Sequence, residues 1–240
     1  CFCLINKRNE MNFMKNKVIG IEGYVGAGKT AICRELLNLI PNSIILEGGN
    51  LYRAIVYALM TSGINLEDLK KNMQHVDIKS VMEKLKIEIK IENRDTIILI
   101  DGKEIEEEKI QSAKSSMAVS EISKVADNKN FYVFGKKIID QFKEKYNVIV
   151  SGRDLMKIYP ELDYHIFVTA SLDERVKRKC IQYNGKCDED EIRNNIIERD
   201  KLQEEAGYYK IYDKTIVVDV TNCKSVKESA NEVLSKIGVL

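Results

Sequence analysis

Eight residues, Gly23-Tyr24-Val25-Gly26-Ala27-Gly28-Lys29-Thr30, constrain this chain more than any other segment, because they fit the pattern G-x-x-x-x-G-K-[ST]. Lys17–Glu22 (KVIGIE) before them reads as a short buried strand stopped by Gly23. Lys29–Ile40 after them places Ile32, Leu36, Leu37 and Ile40 on one side of a helix that Pro41 ends. Glycines let consecutive backbone N–H groups curl around a phosphate in conformations that side chains block. The following helix points the positive end of its dipole at the same anion. Lys29 adds a point charge toward the β and γ phosphates, and the Thr30 hydroxyl can ligate Mg²⁺. The alternative, an ordinary glycine turn before a helix, is disfavoured by this strand-and-helix context. Gly23 to Thr30 is read as a loop that holds a nucleoside triphosphate.

At 240 residues the chain has room for one generous α/β domain, or a compact domain with a small insert. Lys and Arg number 38 against 37 Asp and Glu, a formal net charge of +1. A polymeric nucleic acid demands a basic surplus, so none is expected as a partner, although a local basic pocket for one small anion remains compatible. The longest apolar runs, such as Ile97–Ile100 and Val148–Val150, are far too short to span a membrane. Six cysteines (Cys1, Cys3, Cys33, Cys180, Cys187 and Cys223) form no C-x-x-C pair, and the first residues do not resemble a signal peptide. Free thiols in a reducing, cytoplasmic setting are expected. Cys180 and Cys187 lack the further ligands that structural zinc wants. Residues 1–13 are expected to be a disordered tail and are left out of the fold argument.

Ser43–Leu46 reads as a second strand and Leu51–Met60 as a strongly apolar helix. From Leu66 to Val125 the character changes. A Lys/Glu-rich helical stretch leads to Lys86–Ile91, which alternates polar and apolar residues. Turns at Asn93-Arg94-Asp95 and Asp101-Gly102 then separate it from Thr96–Ile100 and Lys103–Ile105. This is a small antiparallel meander with one wet face, read as an insert; the other reading is a plain edge extension of the main sheet. A helix near Phe131–Lys145, strands at Asn147–Val150, Tyr164–Thr169 and Thr215–Val220, and helices from Leu172 and over Val226–Ile237 complete the pattern. Strands alternating with helices make a doubly wound α/β core.

The loop alone does not choose among a switch, a motor and a small kinase. Val148–Val150 ends in Ser151-Gly152-Arg153-Asp154, without the acidic strand end usual in motors. No Asn/Thr-Lys-x-Asp element of a GTPase follows on a late strand. From about Lys17 onward, five segments in order resemble the bacterial cytidylate kinases of the nucleoside monophosphate kinase group. They are GYVGAGKT, EGGNLYRAIVYAL, the insert ending ISKVA, VIVSGRDLMKIYPELDYHIFVTAS, and DERVKRK with IIERD.

The resemblance implies a three-layer P-loop kinase fold with a parallel five-stranded sheet, a small antiparallel insert and a short lid. The P-loop core would comprise residues 14–62, 127–178 and 206–240, the monophosphate-binding insert 63–126 and the lid 179–205. It implies transfer from MgATP to CMP or dCMP, by a monomer with no membrane partner. Gly23 to Thr30 would bind ATP, with Thr30 on the metal. Arg53, Arg153 and Arg199 would hold the acceptor phosphate, and Ser123 and Asp154 would meet the cytosine edge. Tyr52 and Gln203 would complete the acceptor site, Gln203 at a ribose position. Arg175 and Arg178 would join Lys29, Arg153 and Arg199 in neutralising charge during transfer.

The residues support this independently, to different degrees. In-line phosphoryl transfer needs positioning and neutralisation more than a general base, and arginine's planar fork suits phosphate. Arg53 within an apolar helix is an expensive charge without an anion partner. Arg153-Asp154 sits at a strand's carboxyl end, where open α/β sheets bind ligands. Arg175, Arg178 and Arg199 lie in charge-rich helices, where a solvated face is the default. His165 within a core strand reads as a satisfied structural residue, and His75 lies in a polar stretch, so histidine acid–base catalysis is not expected.

The chain departs from the family's pattern at the acceptor site. Glu47 and Gly48 stand where Asp and Ser/Thr are usual, and Ser151 where an acidic residue is. Gln203 and Ala206 replace an Asp and an Arg of the lid, and the run Phe131-Tyr132-Val133-Phe134 occupies the region of a further base-contacting Arg. Two other readings therefore stay open: a kinase of another nucleotide or small hydroxyl acceptor, and a nucleotide-binding regulatory protein with weak turnover.

Overall fold

The computed structural model describes residues 14–61, 83–84, 86–105, 129–183 and 188–239. β1 (Val18–Gly23) is buried along its whole length, as a strand covered by helices on both faces must be. α1 (Lys29–Leu39) stops at Ile40, before Pro41. β2 (Ser43–Glu47) runs into α2 (Gly48–Thr61), which begins three residues earlier than its apolar pattern indicates. Three short strands follow: β3 (Ile87–Glu92), β4 (Asp95–Ile100) and β5 (Lys103–Glu104). Next come α3 (Lys129–Lys143), β6 (Asn147–Ser151), the single turn α4 (Leu155–Ile158) and β7 (Tyr164–Thr169). The charged helices α5 (Leu172–Gln182) and α6 (Glu189–Glu205) precede β8 (Thr215–Asp219) and α7 (Val226–Lys236). Ser171, Asp188 and Ser225 start α5, α6 and α7 by accepting N–H bonds from their first turns.

The sheet runs β3-β4-β2-β6-β1-β7-β8, with β5 on β4. Its five strands β2, β6, β1, β7 and β8 pair in parallel, which is the core expected from the sequence. The meander is antiparallel, with β3 and β4 matched from Glu92 and Asp95 to Ile87 and Ile100. In space it also extends the edge of the main sheet, because β4 joins β2 in parallel at Ile45 and Asp95. Arg94 fastens that corner. Its guanidinium donates to Ser43 O (3.0 Å), Ile40 O (3.0 Å), Ser43 Oγ (2.7 Å) and Leu37 O, tying the turn to the end of α1. The Lys/Glu-rich helical stretch after Leu66 falls almost wholly outside the described residues.

Alternation along the central strands divides the core in two. Val18, Ile44, Leu46, Val148 and Val150 pack with α2 and α3, through Leu51, Ile55, Ile138 and Phe142. Ile19, Ile21, Ile45 and Ile149 pack with α1 and α7, through Ile32, Leu36, Val233 and Leu234. The parallel register then brings every carboxyl end to one rim. Glu47 lies opposite Ser151, Ile21 opposite Ser151, and Gly23 opposite Val168. Ligands of open α/β sheets bind at such a rim.

Candidate active site

The glycine loop leaves β1 through a backbone that only glycine tolerates. Gly23 has φ 146°, and a Cβ there would lie 2.1 Å from the Val168 carbonyl oxygen. Gly28 has φ 92° where α1 begins, so its N–H groups face the loop's interior end-on. Lys29 curls back over the loop and donates to Gly23 O (2.8 Å) and Tyr24 O (2.7 Å). Both partners are neutral, and among the described residues no carboxylate pairs with the ammonium. Burial, then the Arg153 guanidinium, with a further contribution from Arg199, lower its pKa to about 8.

Two of the arginines expected at the acceptor phosphate, Arg153 and Arg199, act on this lysine, and the third, Arg53, acts on Arg153. Arg153, just past β6, has its pKa pulled down by desolvation and by Arg199 and Arg53. Its side chain is exposed at the rim. Arg153 also lies over the Tyr208 ring, 5.6 Å from its centre. Arg53, half-buried on α2, donates to Asn50 Oδ1 at 3.3 Å. Arg199 depresses Lys179 as well, after burial. Lys29, Arg53, Arg153, Arg199 and Lys179 therefore form one cationic group from four separate elements and the rim. Mutually lowered cations of this kind favour an incoming anion.

Arg175 and Arg178 are placed differently. Arg175 is 8% exposed; it donates to Val25 O (3.1 Å) and to the Asp200 carboxylate, 5.1 Å from the Tyr24 ring centre. Arg178 donates to Ala27 O (3.1 Å), Val220 O (2.7 Å) and Glu174 Oε1 (3.0 Å). Both grip the loop's carbonyls from behind, so in this structure they brace the phosphate loop. Asp200 completes the brace, accepting the Val25 N–H at 3.1 Å and the Tyr209 hydroxyl at 2.7 Å.

Asp154 follows Arg153 in a left-handed conformation, φ 54°. Its carboxylate accepts the Tyr132 hydroxyl and pairs with Lys157, each at 2.8 Å. Tyr52 is half-buried against the α2 side of the core, and burial raises its phenol pKa. Gln203 lies on α6, where its Oε1 is buried with no hydrogen-bond partner among the described residues. Ser123 lies outside the described residues. Tyr132, Asp200, Tyr208 and Tyr209 were not evident from the sequence. Asp200 follows Arg199 directly and Tyr208-Tyr209 follow Gly207, so adjacency to a charged or glycine position was the available signal.

The cytidylate kinase family model matches residues 19–238. The chain belongs to the cytidylate kinase family. A cytidylate kinase from Caldicellulosiruptor saccharolyticus is 30% identical over 230 residues, covering 93% of this chain and 95% of that one. Those from Clostridioides difficile and Aquifex aeolicus are 28% and 31% identical over 234 and 228 residues; this chain spans 100% and 95% of their lengths. Within this cytidylate kinase family member, two of the departures, Glu47 and Ser151, are register neighbours. Glu47 accepts Asn50 Nδ2 at 2.7 Å, and Ala206 closes α6. Cys33 beneath them is an inert thiol, pushed up to about 12 by burial and Glu47.

Proposed function

We propose that this protein transfers the γ-phosphoryl group of ATP to CMP or dCMP. One observation carries the reading: Arg153 and Arg199 act on Lys29 of the phosphate loop, and Arg53, from a third segment, acts on Arg153. An acceptor phosphate bound by the arginines would face the triphosphate held by the loop, and proximity plus neutralisation is most of what phosphoryl transfer requires. Gly23 to Thr30 would hold the triphosphate through backbone N–H groups, and Lys29 would turn from its two carbonyls toward the phosphates. Asp154, with Tyr132 beside it, would meet the pyrimidine edge, and Ser123 is assigned there by resemblance. The unpartnered Gln203 Oε1 suits a donor such as a ribose hydroxyl.

Thr30, exposed on the first turn of α1, offers the hard oxygen that Mg²⁺ accepts. When bound there, Mg²⁺ would supply positive charge that neutralises the charge developing during transfer, with Thr30 as its protein ligand. We assign residues 63–126 to an acceptor-binding insert and 179–205 to a lid, around a core of 14–62, 127–178 and 206–240. The same reading takes the protein as a cytoplasmic monomer.

The test is a panel of CMP, dCMP, UMP, AMP and GMP with ATP, followed by coupled ADP release. CMP or dCMP turning over fastest supports the proposal, and a flat panel rejects it. Ser151 and Ala206 favour one second reading, a different acceptor, which would show as faster turnover of another panel member.

A further inference from the structure

Beside the phosphate loop, two buried polar side chains face each other with no part in the chemistry described so far. Glu22, the residue before Gly23, is 4% exposed, and His165 on the adjacent β7 is 1% exposed. Glu22 Oε2 lies 3.1 Å from His165 Nε2, and His165 Nδ1 lies 2.8 Å from Thr215 Oγ1 on β8. Thr215 Oγ1 also accepts the Tyr212 N–H at 2.9 Å. The Thr215 hydroxyl then donates to Nδ1, which leaves the imidazole proton on Nε2 to donate to Glu22. The other carboxylate oxygen, Glu22 Oε1, accepts the Leu155 N–H at 2.7 Å.

An apolar side chain of similar size would be easier to bury at this position than a carboxylate. The bond to Leu155 indicates what the carboxylate does. Leu155 opens α4, and its N–H is one of the unsatisfied donors of a helix start. Asp154 holds the cap position, where an aspartate ordinarily accepts the N–H of the second or third helical residue with its own side chain. Here it makes no side-chain cap bond, and its carboxylate goes to Tyr132 and Lys157 instead. Glu22 instead takes the first N–H of α4, which the cap residue's own side chain does not reach, and so ties the turn carrying Asp154 to β1.

We infer that Glu22 is a positioning residue for the acceptor loop Gly152–Leu155, oriented by His165 and Thr215, and that it fixes where that loop presents Arg153 and Asp154. The inference rests on the kinase reading above. E22A should raise the KM for CMP about tenfold, the loss of one charge-assisted bond, while the KM for ATP stays within about twofold. E22Q should recover most of that loss. Its amide oxygen still accepts from Leu155, and its N–H₂ can donate to Nε2 once the imidazole proton moves to Nδ1. Imidazole nitrogen shifts should therefore report an Nε2–H tautomer in wild type and Nδ1–H in E22Q. Amide exchange at Leu155, read without any acceptor, should be slow in wild type and E22Q and fast in E22A. Equal CMP KM values for E22A and E22Q, parallel rises for CMP and ATP, or a Leu155 amide equally protected in all three would overturn the inference. If wild type ignores CMP, the acceptor reading fails alone, and the Leu155 exchange still decides the role of Glu22.

Discussion

Replacing Lys29 by methionine should abolish phosphoryl transfer and yet make the nucleotide-free protein more stable at neutral pH. The magnitude follows from the lysine's surroundings. Burial and Arg153 hold its pKa near 8 instead of the ordinary 10.5. Keeping it charged therefore costs the folded state about 3 kcal/mol at neutral pH, at about 1.4 kcal/mol per pH unit. Methionine fills the same channel without charge but forfeits the donors to Gly23 O and Tyr24 O, together worth about 1–2 kcal/mol. The difference leaves K29M more stable by roughly 1–2 kcal/mol, an increase in Tm of about 2–8 °C for a chain of this size. The pH dependence has a definite sign. Below about pH 8 both folded and unfolded states carry the proton, and the penalty is complete. Between about 8 and 10.5 the unfolded chain still binds the proton that the folded chain has released, so wild-type stability rises relative to K29M. Calorimetric melting of both proteins, without nucleotide, at about pH 7 and about pH 10 reads the gap directly. A K29M protein that melts below wild type at the lower pH, or a gap that does not close at the higher, refutes the reasoning.

Arg153→Ala should weaken acceptor binding by about 10- to 150-fold, from a charge-assisted contact of roughly 1.5–3 kcal/mol, with ATP affinity changed by no more than a few-fold; separate calorimetric titrations check this. Gly23→Ala places a Cβ 2.1 Å from Val168 O at φ 146°, and should cost about 2–5 kcal/mol in urea unfolding. Asp200→Ala leaves the Arg175 guanidinium without its carboxylate and releases Val25 and Tyr209. A loss of about 3 kcal/mol is expected, with a higher KM for ATP, and unchanged stability would contradict the bracing role.

What the sequence disclosed was what depends on neighbours along the chain. The phosphate loop was legible because its glycines, lysine and threonine are contiguous and lie between an apolar strand and an amphipathic helix. Arg53 and Arg153 were legible because a charge inside an apolar helix, or at a strand's carboxyl end, is conspicuous locally. The bracing of the loop was not. Asp200 reaches Val25 across 175 positions of sequence, and no periodicity marks such a contact. The same holds for Arg94, visible as a turn residue but not as the guanidinium that binds the meander to α1 and β2. His165 was correctly expected to be satisfied, but its partners depend on register: Gly20 and Thr215 flank it across the sheet, and Glu22 lies two residues further along β1.

The central claim is that the Lys29 loop and the Arg53, Arg153 and Arg199 cluster hold two phosphorylated ligands face to face. A crystal structure with a non-hydrolysable ATP analogue and CMP tests it most directly. The account predicts the triphosphate along Gly26 to Thr30 and the CMP phosphate within hydrogen-bond reach of all three guanidinium groups. A CMP phosphate bound away from those arginines, or a triphosphate outside the loop, would contradict it.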